Sequence, residues 1–141
     1  AASDYSLIDP DTRTPRPNYW AAVLWRRIMG TTVLASPRSP SPDLRIYAHC
    51  LTHSKGGVGL VAINLGSQSR SFDLGGKALS WTMSGEALDT RTITINGFAP
   101  GVRANGSLSG LEGRAINGTI TIPPQSIALA AVRGAANSAC H

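Results

Sequence analysis

The 141-residue sequence has few charged residues, and those it has are spread along the chain. Only 15% of the residues are charged, and two are lysines. The formal net charge is +5, but the densest cationic pair is Arg26-Arg27 and no aromatic residues are interleaved with the arginines. Nucleic-acid and polyanion binding surfaces need clustered charge. We therefore expect an ordinary solvated surface and no nucleic-acid partner.

Long apolar runs are also missing. No run reaches the roughly 18 residues of a membrane-spanning helix, and the start of the chain lacks the charged and apolar regions of a signal peptide. The sequence predicts no membrane span, and it predicts that any secretion signal lies upstream of Ala1.

Recognisable catalytic motifs are absent. No Gly-x-Ser-x-Gly elbow, phosphate loop or dinucleotide fingerprint occurs. Most of the eight carboxylates stand beside proline, glycine or turn signals, which does not suggest the acid and base of a hydrolase. They are Asp4, Asp9, Asp11, Asp43, Asp73, Glu86, Asp89 and Glu112. We predict no catalytic residue in this chain and no cofactor.

The segment nearest to a metal motif is His49-Cys50-Leu51-Thr52-His53. Imidazole and thiolate are good zinc ligands. However, strand alternation places His49 and Cys50 on opposite faces, and no second pair follows except Cys140-His141. The sequence therefore predicts no metal site.

Two short patterns bear on the compartment. Cys50 falls in a strand pattern and Cys140 at the extreme tail, which favours a disulfide that ties the tail to the sheet; two reduced thiols are the alternative. Asn105 and Asn117 each begin an N-glycosylation acceptor, although Asn-Gly is also a hairpin turn signal. Together they favour a secreted protein, extracellular or periplasmic.

The apolar periodicity changes once along the chain. Tyr19, Trp20, Val23, Leu24 and Ile28 recur at helical spacing. Pro17 is well placed at the start, and Gly30 could cap the end. One amphipathic helix is predicted over Asn18 to Met29.

After Thr31 the pattern is that of short strands between turn signals. With no alternation of strands and helices, an antiparallel β-sandwich is predicted, with Phe98 to Gly118 as a long irregular connection. The expected strands are Thr32 to Ala35, Leu44 to Leu51, Gly57 to Leu65, Ser69 to Asp73, Ser80 to Glu86, Arg91 to Asn96, Thr119 to Ile122 and Ser126 to Arg133.

A carbohydrate-binding module would display aromatic rings on which sugars stack. The strand region offers Tyr47, Phe72, Trp81 and Phe98. Trp81 shares its face with Leu79 and Met83, so we interpret it as a core residue. A free-standing carbohydrate-binding or structural β-sandwich is nevertheless kept as the alternative function.

Several colinear segments resemble the C-terminal end of glycoside hydrolase family 79, the heparanases and related β-glucuronidases. The matching segments are Tyr5 to Asp9, Pro17 to Trp20, Arg26 to Leu34, Leu44 to Cys50, Ala62 to Leu65, Leu88 to Arg91, Asn96-Gly97, Ile122 to Ser126 and Ala139-Cys140. In order and spacing they cover nearly the whole chain.

The resemblance implies a (β/α)₈ barrel followed by the β-sandwich. Residues 1–30 would supply the end of the last barrel strand, a loop and the final helix, and residues 31–141 the sandwich. The helix would pack on the barrel wall through Trp20, Val23, Leu24 and Ile28. The acid and nucleophile glutamates of the family would lie upstream of this chain.

The same resemblance implies one substrate contact. Tyr5 matches a family tyrosine just beyond the last barrel strand, at the face where barrel enzymes place their sites. The family often has Gly-Asn before that tyrosine, whereas this chain has Ser3-Asp4. The expected function is the C-terminal portion of a retaining enzyme that cleaves β-glucuronides, with a glucuronic-acid-containing saccharide as the partner.

Overall fold

A computed structural model describes residues 5–141. Residues 1–4, which the predicted barrel-strand end includes, lie outside the described residues. The described part holds one helix, α1 (Pro17–Ile28), and nine strands. The strands are β1 (Met29–Leu34), β2 (Leu44–Leu51), β3 (Val58–Asn64), β4 (Arg70–Ser84), β5 (Thr94–Ile95), β6 (Gly101–Val102), β7 (Leu108–Ser109), β8 (Arg114–Ile122) and β9 (Ser126–Val132).

Helix α1 begins and ends within one residue of its prediction. Pro17 occupies the first helical turn, where its missing N–H costs nothing. Met29 is already extended, so the chain passes directly from the helix into β1. The prediction that Gly30 caps the helix is therefore wrong. It lies so close to β2 that a Cβ there would come 2.5 Å from the carbonyl oxygen of Cys50.

All strand pairs are antiparallel, and seven strands form one connected sheet. The order is β1-β2-β3-β9-β4-β5, and β8 pairs with β4. The separate hairpin of β6 and β7 lies in the long connection predicted to be irregular. No helix among residues 5–141 has the length and apolar character needed to cross a bilayer.

Strand β4 corrects the prediction of two separate strands. It runs through 15 residues. Its register against β8 shifts between Asp73 and Lys77, where Gly75 has a φ of +74° and the Asp73 carboxylate accepts a hydrogen bond from the Gly75 N–H at 2.9 Å. The pair Gly75-Gly76, which resembles a turn in the sequence, is therefore an irregularity within a continuous strand.

The sheet folds over itself and encloses one apolar cluster. Strands β2, β3 and β9 contribute one wall, and β4 and β8 contribute the other. The two layers of the predicted sandwich therefore exist, but β4 joins them by hydrogen bonds to both β8 and β9. Leu44 and Ile122 of this apolar cluster have almost no exposed surface.

The opposite face of the sheet is covered by α1, which overturns one prediction. Trp20, Leu24 and Ile28 are 4%, 1% and 3% exposed. They pack with Leu129 and other residues of the chain's own strands, and Val23 is packed against the same cluster. These side chains are therefore buried within this chain and are not left exposed for contact with a barrel wall.

Asn64, in a segment of the family resemblance, has a structural role. It is 1% exposed, and its Nδ2 donates to the carbonyl oxygens of Gln68, Ile122 and Pro123 at 2.8–3.1 Å. Its Oδ1 accepts from the Gly66 N–H at 3.0 Å. A buried amide satisfied in this way ties the end of β3 to the end of β8.

Candidate functional site

The segment before α1 folds back on itself and presents Tyr5 beside the helix N-terminus. Ile8 and Pro15 form an isolated antiparallel bridge, and the Arg16 N–H donates to the Leu7 carbonyl at 2.9 Å. The side-chain amide of Asn18, in the first turn of α1, donates to the Tyr5 carbonyl at 3.5 Å. The position of Tyr5 is therefore set by a closed loop.

Asp9 organises this loop. Its Oδ1 accepts the backbone N–H groups of Asp11 and Thr12, each at 3.0 Å. Its Oδ2 lies 3.2 Å from Arg16 Nη2 and 3.7 Å from Arg91 Nη1. The Thr12 N–H is the largest cause that lowers the pKa of Asp9 to about 2, and Arg16 and Asp11 add to it against a smaller opposing effect of desolvation. The loop thus contains a carboxylate that stays ionised.

Tyr5 itself lies at the surface of the described chain. It is 91% exposed, and the neighbouring Leu7 and Ile8 are about half exposed. The predicted substrate contact is therefore a tyrosine that contributes little to the core of this chain.

Two further carboxylates, Asp43 and Asp73, have structural roles. Asp43 pairs with Arg70 at 3.0 Å, and Asp73 accepts from Gly75. Glu86, Asp89 and Glu112 are exposed. Asp43 and Asp73 thus hold strand ends and a bend within β4, and the absence of a catalytic acid and base pair stays a prediction.

The histidine and cysteine segment is divided among other roles. His49 Nδ1 lies 2.7 Å from the Gly30 carbonyl oxygen, and its ring meets Trp25 edge to face at 5.2 Å. Cys50 is bonded to Cys140. Within residues 5–141, no group of three or more His, Cys, Asp and Glu side chains gathers to hold a metal ion.

The disulfide prediction is confirmed. Cys50 and Cys140 are joined across a sequence separation of 90 residues. The tail is also held by the backbone, since the Gly56 N–H donates to the Cys140 carbonyl at 2.6 Å and the Asn137 N–H donates to the Gly56 carbonyl at 2.9 Å. The C-terminal tail is thereby fixed to the turn between β2 and β3.

The four aromatic residues considered for sugar stacking separate into two pairs. Phe72 and Trp81 pack against the two apolar clusters, and the Trp81 indole donates to the Leu111 carbonyl at 2.9 Å. Tyr47 and Phe98 are 46% and 69% exposed. Tyr47 lies on β2 and Phe98 follows β5, and three strands of the sheet order lie between them. The two exposed rings are therefore not on neighbouring strands.

Known proteins similar in sequence to this chain include heparanase-like proteins and a β-glucuronidase. Heparanase-like protein 1 of Arabidopsis thaliana is 46% identical over 65 residues, which are 46% of this chain and 12% of that protein. Inactive heparanase-2 of Mus musculus is 29% identical over 97% of this chain and 28% of its own length. Baicalin-β-D-glucuronidase of Scutellaria baicalensis is 32% identical over 67% of this chain and 19% of its own length.

The chain belongs to the heparanase and β-glucuronidase-like family. It spans between 12% and 28% of the length of these three relatives. No family model matches the sequence. A xylanase of glycoside hydrolase family 30 from Clostridium acetobutylicum has the same fold over 95% of this chain and 32% of its own, with a TM-score of 0.61 and 16% identity.

One contact in this heparanase-like chain was missed by sequence reasoning. Arg91, which the sequence analysis treated as an isolated surface charge, approaches Asp9 across 82 residues of sequence. The available signal was that Tyr5 to Asp9 and Leu88 to Arg91 are both segments of the family resemblance. Segments that recur in a family together can be spatial neighbours even when composition suggests nothing.

The two acceptor sequences for N-glycosylation lie in different surroundings. Asn105 is at the tip of the β6–β7 hairpin, where its Oδ1 accepts from the Ser107 N–H and hydroxyl at 3.0 and 2.7 Å. Asn117 is exposed on β8, directly before Gly118, whose φ is +77°. Both side chains lie at the surface, and glycosylation at either position stays a prediction.

Proposed function

We propose that this chain is the C-terminal portion of a retaining glycoside hydrolase that acts on β-glucuronides and supports that enzyme's catalytic barrel. The observation that carries the proposal is that 97% of the chain aligns with a relative named inactive heparanase-2 yet accounts for 28% of that relative's length. A second relative is named a β-D-glucuronidase. The remainder of the proposed parent enzyme would contain the catalytic machinery.

In this proposal the chemistry belongs to two carboxyl groups upstream of the chain. A retaining glycosidase uses one as a nucleophile and the other as an acid and then a base, about 5–5.5 Å apart. Asp9, Asp43 and Asp73 of this chain hold loops and strands in place instead. A glucuronic-acid-containing saccharide would reach the chain only through the assembled enzyme.

The chain's own contribution would be to present Tyr5 on a rigid support. The loop from Tyr5 to Arg16 is closed by backbone hydrogen bonds and by Asp9, and it leads into a helix fixed on the sheet. A phenol held there could donate a hydrogen bond to the sugar or to the nucleophile carboxylate. Residues 1–30 would belong to the barrel and residues 31–141 to the sandwich, with the outer face of α1, which includes Trp25, toward the barrel.

The proposed compartment is outside the cell or in the periplasm. The disulfide between Cys50 and Cys140 supports an oxidising environment, because such bonds persist where thiols are not kept reduced.

The test is the stereochemistry of hydrolysis by the full-length protein that contains this chain. An aryl β-glucuronide should be cleaved, and ¹H NMR of the first product should show the β-anomer of glucuronic acid before mutarotation. An aryl β-glucoside serves as the matched control and should be cleaved far more slowly. An initial α-anomer, or equal rates on the two substrates, would contradict the proposal.

A further inference from the structure

A groove that the proposed function does not use lies beside the β5–β6 connection. Its volume is about 630 Å³, within the usual range of small-molecule sites. Its lining comprises Asn96, Phe98, Ala99, Ser109, Gly110, Glu112, Gly113 and Arg114. It therefore combines one exposed aromatic ring with a carboxylate and a guanidinium.

Phe98 is held at this groove by a tight turn. The N–H and C=O groups of Ile95 and Phe98 bond to each other at 2.8 and 3.1 Å. Asn96 and Gly97 between them have φ values of +51° and +85°, the pattern of a type I′ turn. A ring that is 69% exposed on such a turn loses little conformational freedom when a ligand covers it.

The side chain of Asn96 fixes the turn to the sheet. Its Nδ2 donates to the carbonyl oxygens of Ser80 and Glu112 at 2.9 and 3.1 Å, and its Oδ1 accepts the Thr82 N–H at 2.9 Å. Arg114 Nη2 donates to the Asn96 carbonyl at 3.4 Å. Asn96 thus connects the turn to β4 and to Glu112 through its side chain, and to Arg114 through its carbonyl oxygen.

Two glycines in the groove lining allow neighbouring atoms to approach the backbone closely. A Cβ at Gly110, whose φ is +72°, would come 2.7 Å from the Ala99 carbonyl oxygen. A Cβ at Gly113 would come 2.7 Å from the ring of Trp81, which lies in the apolar cluster beneath. The shape of the groove therefore depends on glycine at both positions, because the Cβ of any other residue would clash with these neighbours.

We propose that this groove binds one neutral pyranose residue of a saccharide, with equatorial hydroxyl groups. The flat C–H face of such a sugar would cover the Phe98 ring, as apolar surface does on an aromatic face. The Glu112 carboxylate would accept hydrogen bonds from two hydroxyls, and the Arg114 guanidinium would donate to a third. One carboxylate and one guanidinium leave the groove without net charge, so it offers a sugar acid no net attraction over a neutral sugar.

A saccharide explains this groove better than a protein partner does. Stable protein interfaces bury about 800 Å² on each side and centre on several buried anchors. The lining of this groove has a single exposed aromatic ring, and its polar groups suit the alternating C–H and O–H surfaces of a sugar. The inference does not rest on the proposed glucuronidase function.

The test uses the 141-residue chain with cellotetraose as the probe, followed by ¹H–¹⁵N NMR titration. Cellotetraose should shift the amide resonances of residues 96–99 and 109–114. Phe98→Ala should weaken binding at least about tenfold, and Glu112→Gln should weaken it severalfold. Tyr47→Ala, which removes another exposed ring that does not line the groove, is the matched control and should bind as wild type does.

Several outcomes would overturn the inference: no shifts with cellotetraose, shifts that Phe98→Ala leaves unchanged, or a preference for a hyaluronan tetrasaccharide over cellotetraose. Unchanged amide spectra away from the groove would show that each variant is folded. Phe98→Ala in the full-length protein should leave hydrolysis of a small aryl β-glucuronide unchanged. A failure of the sugar site is therefore distinguishable from a failure of the proposed function.

Discussion

At the scale of single residues, Tyr5 is the proposed link between this chain and the substrate. A hydrogen bond to a charged group contributes about 1.5–3 kcal/mol. Since about 1.4 kcal/mol corresponds to a factor of ten in rate, Tyr5→Phe in the full-length enzyme should lower kcat/KM roughly ten- to a hundredfold. The measurement is steady-state hydrolysis of an aryl β-glucuronide.

Stability separates this role from a packing role for the tyrosine. The residue is 91% exposed in this chain, so Tyr5→Phe should leave the melting temperature nearly unchanged. If the ring instead packs in the assembled enzyme, Phe is silent and only Tyr5→Ala lowers both rate and stability. A Phe variant as active as wild type would remove Tyr5 from the site.

Asp9 predicts a pH dependence of stability. Its pKa falls from an ordinary value of 3.8 to about 2 on folding. A carboxyl group with a depressed folded pKa contributes stability above its unfolded pKa and loses it as the pH falls through the folded value. The contribution of Asp9 should therefore be full above about pH 4 and should disappear between about pH 4 and pH 2.

Urea unfolding at several pH values between 2 and 7 checks this. Asp9→Asn should be less stable than wild type at neutral pH, and the difference between the two proteins should shrink as the pH falls from 4 to 2. Asp89→Asn, which changes an exposed carboxylate of the loop between β4 and β5, is the control and should run parallel to wild type. Parallel curves for Asp9→Asn would contradict the assignment.

At the scale of elements, α1 should stabilise the chain through the face that it buries. Leu24 is 1% exposed, and truncation of a buried leucine to alanine costs about 2–5 kcal/mol. Trp25→Ala, on the 42% exposed outer face, should cost about 1 kcal/mol through its lost contact with His49. Chemical denaturation of the two variants compares the faces directly.

The burial of α1 also reverses an expectation from the sequence. If Trp20 and Leu24 faced an absent barrel, the isolated chain would aggregate and serine at both positions would relieve it. Both residues are buried against the chain's own sheet, so these serines should unfold the chain instead. A Leu24→Ala variant as stable as wild type would show that the helix does not pack in this way.

The disulfide should hold the C-terminal tail and stabilise the whole chain. Closing a loop of about 90 residues reduces the entropy of the unfolded chain, equivalent to about 4–5 kcal/mol in the chain-entropy model. Reduction should therefore lower the urea midpoint without changing the sheet. Intact mass of protein purified without reductant should be lower by two hydrogen atoms than that of the reduced form, and two free thiols would contradict the bond.

How far the elements could be predicted depended on whether the signal was local. Helix α1 and strand β2 follow from periodicity, capping and turn residues, so their bounds were predicted to within one residue. Gly75-Gly76 resembles a turn locally, but pairing with β8 keeps β4 continuous. Which apolar surface α1 covers could not be predicted, because an amphipathic pattern identifies a buried face without identifying its partner.

The candidate site was predictable only in part for a similar reason. Tyr5 was named through a family resemblance, and its substrate contact stays a prediction. The Asp9–Arg91 approach depends on the fold bringing two distant loops together, which no local pattern encodes. Phe98 was considered as one of four aromatics, but only the turn and the two glycines define a groove beside it.

At the scale of the whole molecule, residues 5–141 pack around one main sheet. This sheet is covered on one face by α1 and on the other by its own folded-over strands, and a disulfide fixes the tail. We therefore expect the 141-residue chain to unfold cooperatively by itself. This matters for activity, because an inactive chain could then not be explained by misfolding.

The chain alone should hydrolyse no aryl β-glucuronide. Retaining catalysis needs two carboxyl groups about 5–5.5 Å apart, one as nucleophile and one as acid. Here Asp9 pairs with Arg16 in the loop before α1, and Asp43 pairs with Arg70 at the start of β4. The release of the aryl alcohol by the purified chain should therefore equal the uncatalysed rate. Far-UV circular dichroism and a cooperative urea transition would show that the chain is folded. The full-length protein is the positive control. Turnover that survives repurification and disappears when one of the chain's own carboxylates is replaced by its amide would show instead that the catalytic groups are in this chain.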